Sequence, residues 1–365
     1  MPSAHDGAAG ARKIRVALLF GGRSGEHSIS AATAAGVMKA IDRDKYDVLP
    51  VGITHDGGWV LAAGDSSRWE LTAGGSLPEV TSDAGSEIAG LADLGEVDVV
   101  FPLLHGPFGE DGTIQGLLEL ADVRYVGSGV LASAVGMDKQ FMKIALAAHG
   151  LPVGPYVVVL PRDWEQRQAE VVERVAAELA FPVFVKPARA GSSLGVTRVD
   201  DLAGLADAVE EARFHDPKVI IEQGIEGREI ECGVLGGRNG RPPRASVPGE
   251  IVVDHDAADF YDFEAKYVSA EGARTDAPAD LPDEVAEEVR RVAVRAFEAI
   301  GAEGISRVDV FVTPAGEVVV NEINTMPGFT PISMYPKMWE ASGISYRELI
   351  DELIQLALER PTGLR

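Results

Sequence analysis

The 365-residue chain is 46% hydrophobic and carries a formal net charge of −24. That apolar content suffices for two or three domains, while so large an acidic excess argues against nucleic acid and anionic membrane as main partners. No apolar run reaches the length of a membrane span, and the single thiol, Cys232, leaves no internal disulfide framework and fits a reducing cytoplasm.

The opening Met1–Lys13 lacks a hydrophobic signal core and reads as a short disordered lead-in. Lys13–Phe20 is a nearly continuous apolar run, typical of a buried parallel strand. It leads into Gly21-Gly22-Arg23-Ser24-Gly25-Glu26-His27 and an Ala-rich helix, Ser28–Ile41. Strand, glycine turn and helix N-terminus together offer an anion site, although neither GxGxxG nor GxxxxGK[ST] is present. Tyr46–Thr54 and Val97–Leu104 read as further strands, so residues 1–127 are expected to form a doubly wound α/β unit. Between these strands, Gly57–Gly95 is rich in Gly, Ser and Asp and reads as an irregular insertion with room for a small hairpin at Trp59–Leu61. Glu26 and His105 both follow predicted strands and are placed to meet at the carboxyl end of the sheet. For His105 a satisfied loop histidine is the plain alternative. An amphipathic helix runs from Thr113 to about Asp122.

A second unit begins near Ser128. Gly136-Met137-Asp138-Lys139 opens a helix to about His149, Leu151–Leu160 is strand-like, and helix Trp164–Leu179 follows. Phe181–Pro187 is a strand ending in Lys186, and it faces the loop Ala188–Val196, ARAGSSLGV. Backbone N–H groups of such a loop approach phosphate oxygens closely while lysine supplies a point charge, so the pair suits a phosphate clamp. A plain Gly-Ser hairpin is the alternative. Lys139 offers a second ammonium. The strand ending at Val219–Glu229 carries Glu222 and Glu229, carboxylates suited to ribose hydroxyls, and Gly224–Gly227 reads as a linker.

Cys232 lies in the alternating run Ile230–Leu235 and is expected to be a buried structural thiol. Gly249–Gly272 is dense in aromatics and charge and reads as a functional lid. Pro282–Ile300 is an amphipathic helix with Val285, Val289, Val292, Ala296 and Ile300 on one stripe. Two apolar runs, Val308–Val312 and Val318–Ile323, then flank a turn-rich segment. With a four-residue loop at Pro314–Glu317, Thr313 pairs with Val318, Asp309 with Glu322 and Arg307 with Asn324. These polar residues then share one face. An Arg, two carboxylates and an amide suit a divalent ion carrying a polyphosphate, because magnesium takes one or two carboxylates plus phosphate oxygens. A solvated face of paired charges is the alternative. A helix at Tyr346–Glu359, striped by Leu349, Ile350, Leu353 and Leu356, closes the chain.

Six stretches in this order resemble the D-alanine–D-alanine ligases of the ATP-grasp superfamily: GGRSGEHSIS, LLHGPFGEDGTIQG, GSGVLASAVGMDK, FVKPARAGSSLGV, YDFEAKY and RVDVFVTPAGEVVVNEINTMPGFTPISMYP. The resemblance covers nearly the whole chain, and Gly57–Gly95 matches least. It implies an α/β and α+β, three-domain ATP-grasp ligase. The N-terminal doubly wound parallel-sheet domain (1–127) would bind the first D-alanine. A central domain (128–224) and a C-terminal domain (225–365, lid at 254–272) would hold ATP between their sheets. The resemblance assigns Asp309, Glu322 and Asn324 to two Mg2+ (or Mn2+) ions, with Asn321 beside the nucleotide. It assigns Lys139, Lys186 and Ser193 to phosphates and Lys266 to the γ-phosphate. Glu222 and Glu229 fall on the ribose side, and Gln223 and Ile225 at the adenine hinge, with Phe260 reaching in from the lid. Gln223 replaces a lysine of some relatives, and Ala190 a glutamate.

The implied chemistry is carboxylate activation. Glu26 would bind the ammonium of the first D-alanine, with His105 near its carboxylate; ATP would phosphorylate that carboxylate, and the amine of a second D-alanine would attack the acyl phosphate. Arg307 and the Gly328 N–H would stabilise the tetrahedral intermediate, while Ser333 and the Met334 N–H fix the second carboxylate. A triad of Glu26, Ser192 and Tyr267 would close the lid. Tyr267 favours a dipeptide, since depsipeptide-forming relatives carry His or Phe there. The family further implies a cytoplasmic homodimer, an accessory monovalent cation such as K+, and a role in peptidoglycan precursor synthesis. Three alternatives stand beside this reading. One is a ligase using D-lactate or D-serine as acceptor. Another is a non-catalytic nucleotide sensor, expected to lack part of the Arg307, Asp309, Glu322 and Asn324 set. The third, a dinucleotide oxidoreductase, lacks its fingerprint.

Overall fold

The computed structural model describes residues 12–62, 65–70, 77–253 and 273–363. Strand β1 (Ile14–Gly21) is buried along most of its length and pairs in parallel with β2 (Tyr46–Ile53) on one side and β5 (Val99–Pro102) on the other. Helix α1 (His27–Ala40) lies close on this sheet because Ala31, Ala34 and Ala35 add little bulk between the layers. The insertion is more regular than its composition suggests. Its β3 (Trp59–Ala62) and β4 (Gly85–Ile88) add two antiparallel strands, giving the order β4-β3-β2-β1-β5. Trp69 is fully buried, its ring centroid 4.9 Å from that of Phe20, so the added segment shares the core of the sheet.

Helix α2 (Thr113–Leu120) leads to α3 (Val130–Met137) and α4 (Lys139–Ala148). The sequence reading opened one helix at Gly136; the chain instead breaks at Asp138, whose carboxylate caps α4 by accepting from the Gln140 and Phe141 N–H groups. Both Asp138 oxygens also lie 2.8 Å from Lys218 Nζ. The second sheet runs β6 (Tyr156–Val159), β9 (Val219–Gln223), β7 (Val183–Pro187), β8 (Thr197–Val199), backed by α5 (Pro161–Glu178) and α6 (Leu205–His215).

The third sheet comprises β10 (Arg228–Leu235), β11 (Arg244–Ala245), β12 (Gly249–Val253), β13 (Ala273–Asp276), β14 (Ile305–Val312) and β15 (Val318–Asn324), with α7 (Asp283–Ala299) packed on its apolar face. The β14–β15 hairpin pairs Arg307 with Asn324 and Asp309 with Glu322, the expected register. Nearer the turn the expectation fails: Val312, not Thr313, pairs with Val318, so the loop holds five residues, Thr313–Glu317. A bulge between Asp309 and Val310 reconciles the two ends, with Asn321 as the extra residue. Helix α8 (Met334–Ala341) follows, and α9 (Tyr346–Glu359) returns to the first sheet. Leu349, Ile350, Leu353 and Ile354 join the core that contains Val16, Leu18 and Phe20. The apolar stripe of α9 thus finds its partner in the first 127 residues, although the helix lies in sequence beyond the third sheet.

Candidate active site

On β14 the apolar residues Val308 and Val310 enter the core, which leaves Arg307 and Asp309 on the opposite, half-buried face. The guanidinium forks onto the carboxylate, Nε to Oδ1 and Nη2 to Oδ2, both at 2.7 Å. Arg307 Nε also lies 3.1 Å from Oε2 of Glu231, the residue of β10 directly opposite Asp309. Asn324 donates Nδ2 to Asp309 Oδ2 at 3.0 Å. Burial works against a charged guanidinium here, but Asp309 and Glu231 more than offset it and hold the proton even more firmly than usual. The result is a fixed cation on a rigid strand pair.

A second cluster lies between the second and third sheets. Lys186 of β7 donates to Glu222 Oε2 on the neighbouring β9, and Lys143 of α4 forms an ion pair with Glu222 Oε1 at 2.9 Å. Burial alone would raise the Glu222 carboxyl; the two ammonium groups reverse this and hold it well below the ordinary carboxylate range. Burial likewise disfavours a charged Lys186, and Glu222, Glu322 and Glu229 together keep it protonated. Lys139 reaches Ala190 O at 2.8 Å in the glycine-serine loop and stands 3.8 Å from Glu322 Oε2. Ammonium groups from α4 and β7 therefore converge on the carboxylates of Glu222 and Glu322.

The third group joins the first sheet to the glycine-serine loop. Ser192 Oγ donates to Glu26 Oε1. Ser192 and Ser193 both adopt left-handed backbone, φ 50° and 57°, a conformation that costs L-residues energy and is held here by the loop. Gly191 packs directly against the Glu26 carboxylate: a Cβ there would lie 2.9 Å from Glu26 Oε2 and push the side chain aside.

His105 is buried, with Nδ1 3.1 Å from Met326 O and Nε2 3.3 Å from Thr33 Oγ1. Burial lowers its affinity for a proton, Glu26 only partly opposes this, and the imidazole is neutral at physiological pH. Its neighbour Glu110 accepts from Gly106 N–H at 2.6 Å and from Met326 N–H at 3.2 Å. Burial, and then the nearby Glu26 carboxylate, push Glu110 up to about 8. Ser333 precedes α8 but turns its Oγ to Thr330, so the side chain caps no N–H of that helix.

The donors on the hairpin fit magnesium. Asp309 and Glu322 are opposed in register, and Asn324, whose Nδ2 is used, keeps Oδ1 as a hard oxygen. Among the described residues no three carboxylate, histidine or cysteine side chains converge to hold a metal unaided. A set of two carboxylates and an amide matches an ion that takes its remaining oxygens from phosphate.

Comparison with known proteins decides the family. Residues 15–128 match the family description "D-ala D-ala ligase N-terminus" and residues 145–355 match "D-ala D-ala ligase C-terminus". The chain belongs to the D-alanine–D-alanine ligase family. It is 60% identical to a protein of Pseudarthrobacter chlorophenolicus named D-alanine–D-alanine ligase, covering 98% of this chain and 97% of that one. A Streptomyces coelicolor protein of the same name is 55% identical over 96% and 95% of the two chains. Among solved structures it resembles the VanG D-Ala:D-Ser ligase of Enterococcus faecalis, with TM-score 0.79 and 35% identity over 95% of this chain and 100% of that one. It also resembles the D-alanine–D-alanine ligase of Coxiella burnetii, with TM-score 0.77 and 36% identity over 96% and 95%.

Within this family fold, Glu26 and Ser192 are brought together, as are Arg307, Asp309 and Asn324, and Lys139 with Glu322. Gln223 is otherwise engaged: its Oε1 accepts from Ala180 N–H and its own N–H donates to Pro155 O. Ile225 packs beside Gly154, and Glu229 is exposed at the start of β10. Gly328 lies half-buried between β15 and α8. Phe260, Lys266 and Tyr267 lie outside the described residues. Lys143, Glu110 and Glu231 were not singled out from sequence. Glu231 carried a usable signal, since it shares a strand face with Glu229.

Proposed function

We propose that the chain joins two D-alanine molecules in an ATP-dependent reaction, through a D-alanyl phosphate, releasing ADP and phosphate. The observation that carries the assignment of residues is the hydrogen bond from Ser192 to Glu26, which sets an amine-binding carboxylate against a phosphate-binding loop. Phosphoryl transfer to a bound amino acid requires that proximity. Glu26 takes the ammonium of the first D-alanine. The carboxylate oxygen of that D-alanine attacks the γ-phosphorus and ADP leaves, while Lys139, Lys186 and Ser193 offset charge on the transferred group. Magnesium (or manganese) held by Asp309, Glu322 and Asn324 supplies further charge stabilisation when bound. The neutral amine of the second D-alanine then attacks the acyl carbonyl. Arg307 and the Gly328 N–H stabilise the oxyanion, and phosphate leaves as the amide forms. Ser333 and the Met334 N–H hold the second carboxylate. With both nitrogens engaged and no positive charge, His105 fixes the loop beside Glu26 rather than binding an anion by charge.

Glu222 holds two lysines in place, and this role precedes any contact with ribose. Gln223 and Ile225 meet adenine through backbone and apolar surface, with Glu229 on the ribose side. Phe260, Lys266 and Tyr267 complete the site from the lid, where Tyr267 closes the triad with Glu26 and Ser192. Three domains at 1–127, 128–224 and 225–365, a cytoplasmic homodimer and an accessory monovalent cation such as K+ belong to the same proposal. Phosphate release measured with each substrate omitted in turn tests it. Release should need both ATP and D-alanine; release without D-alanine, or efficient ester formation with D-lactate at neutral pH, overturns the reading.

A further inference from the structure

Residues 57–95 take no part in this chemistry, yet they are hydrogen-bonded into the loop that carries Glu26. Val80 N–H donates to Nε2 of His27 at 2.9 Å, and His27 Nδ1 lies 2.6 Å from Gly22 O. An acceptor at Nε2 and a donor at Nδ1 define one tautomer, the neutral Nδ1–H imidazole. The ring is buried and stacked on His55, centroids 3.9 Å apart and planes 18° from parallel. Val80 is itself buried against two glycines at the ends of β1 and β2. A Cβ on Gly52 would come 2.5 Å from a Val80 methyl; one on Gly21, whose φ is 88°, would meet Ile53 O of β2 at 2.3 Å before the other Val80 methyl at 3.0 Å. Gly52 is therefore the position that lets the inserted segment sit on the strand ends, while Gly21 is set by its own backbone and β2.

We propose that His27 is a positioning residue for the first amino-acid subsite, splicing the inserted segment to the Gly22–Glu26 loop in its neutral form and releasing it when protonated. The inference rests on the reading of Glu26 as the partner of the first ammonium. Protonation of Nε2 replaces the acceptor by a donor aimed at the Val80 N–H, so the bond is lost and two N–H groups repel. Burial lowers the proton affinity of His27, against the Gly22 carbonyl; among the charged neighbours the His55 ring lowers it further and Glu79 raises it. Beyond His55, the Asp56 carboxylate is occupied by Thr54 Oγ1, and Arg23 donates to Asp56 O at 2.7 Å. The splice is therefore closed at neutral pH and opens below the ordinary histidine range.

The test compares the holoenzyme with His27→Asn, which can still donate towards Gly22 O but presents nothing at the Nε2 position. At about pH 8 the variant should raise KM for the first D-alanine about five-fold, the loss of one hydrogen bond, with kcat within about two-fold. In the parent enzyme the same rise should appear as pH falls below about 6.5, and the variant should be flat over that range. An unchanged KM, or an acid limb shared by both proteins, overturns the proposal. Should His27→Asn fail to fold, 15N-histidine NMR of the parent decides. Nε2 unprotonated at about pH 8, with a slowly exchanging Val80 amide, supports the splice, and an Nε2–H tautomer overturns it. Glu26→Gln separates the two readings. If it leaves KM unchanged the subsite assignment fails, while the NMR result still stands or falls alone.

Discussion

The charged groups of the hairpin and those of the glycine loops are held in opposite ways. Arg307, Asp309, Glu231 and Asn324 project from paired strands, and each is fixed by at least one of the others. Glu26 and Ser192 come from loops of two different sheets and meet through a single hydrogen bond, supported by left-handed serines and by a glycine against which the Glu26 carboxylate packs closely. Strand-borne groups are preorganised by the fold before any substrate arrives. Loop-borne groups depend on two sheets staying in contact, which suits the part of a site that must admit an amino acid.

Arg307→Ala should break the first arrangement most severely. Turnover is expected to fall about 10³-fold or more, as when an oxyanion partner is lost. Stability should also drop by about 3–5 kcal/mol, because Asp309 and Glu231 remain buried without their counterion. Steady-state phosphate release and a denaturant titration check both; turnover within ten-fold of the parent would mean that the rigid face is not the committed one. Ser192→Ala probes the second arrangement. It should raise KM for D-alanine about five-fold and leave stability within about 1 kcal/mol. A loss as large as that of Arg307→Ala would erase the contrast between strand and loop.

The smallest effect concerns Glu110, which stands between the two regions by bonding Gly106 on one side and Met326 on the other. Its carboxyl is raised from 4.5 to about 8, so the folded state holds a proton that the unfolded chain has already released across that window. The sign follows: its contribution to stability is complete below about pH 4.5 and is lost as pH rises through about 8. Glu110→Gln should flatten the decline in melting temperature over this range. An unchanged slope would assign the decline elsewhere.

What could be read beforehand divides along similar lines. Alternation along β14 and β15 placed Arg307, Asp309, Glu322 and Asn324 on one face, because a two-residue period is a local property of strands. Helix α7 came within a residue of its expected ends for the same kind of reason, an unbroken apolar stripe. Lys143 was invisible. On a helix surface a lysine reads as solvated, and only the approach of Glu222 from another sheet makes it a buried cation. Glu110 likewise sits in a polar turn whose burial is decided by Met326, more than two hundred residues away. At 57–95 glycine and serine suggested an irregular segment with a small hairpin, and the antiparallel pairing there goes further than one hairpin. There β3 and β4 draw their regularity from the edge of an existing sheet rather than from their own sequence.

The extra residue at Asn321 has a consequence for how this hairpin can change over generations. With a five-residue turn and no bulge, every position beyond Val320 would be displaced by one; Asn321 would face Asp309, and Glu322 would turn towards the core beside Val320. The bulge at Asn321 absorbs the odd residue that a five-residue turn leaves over, and so keeps Glu322 opposite Asp309. A one-residue deletion between Thr313 and Asn321 can therefore be taken up by straightening the bulge, with Asp309 still opposite Glu322 and both side chains on the same face.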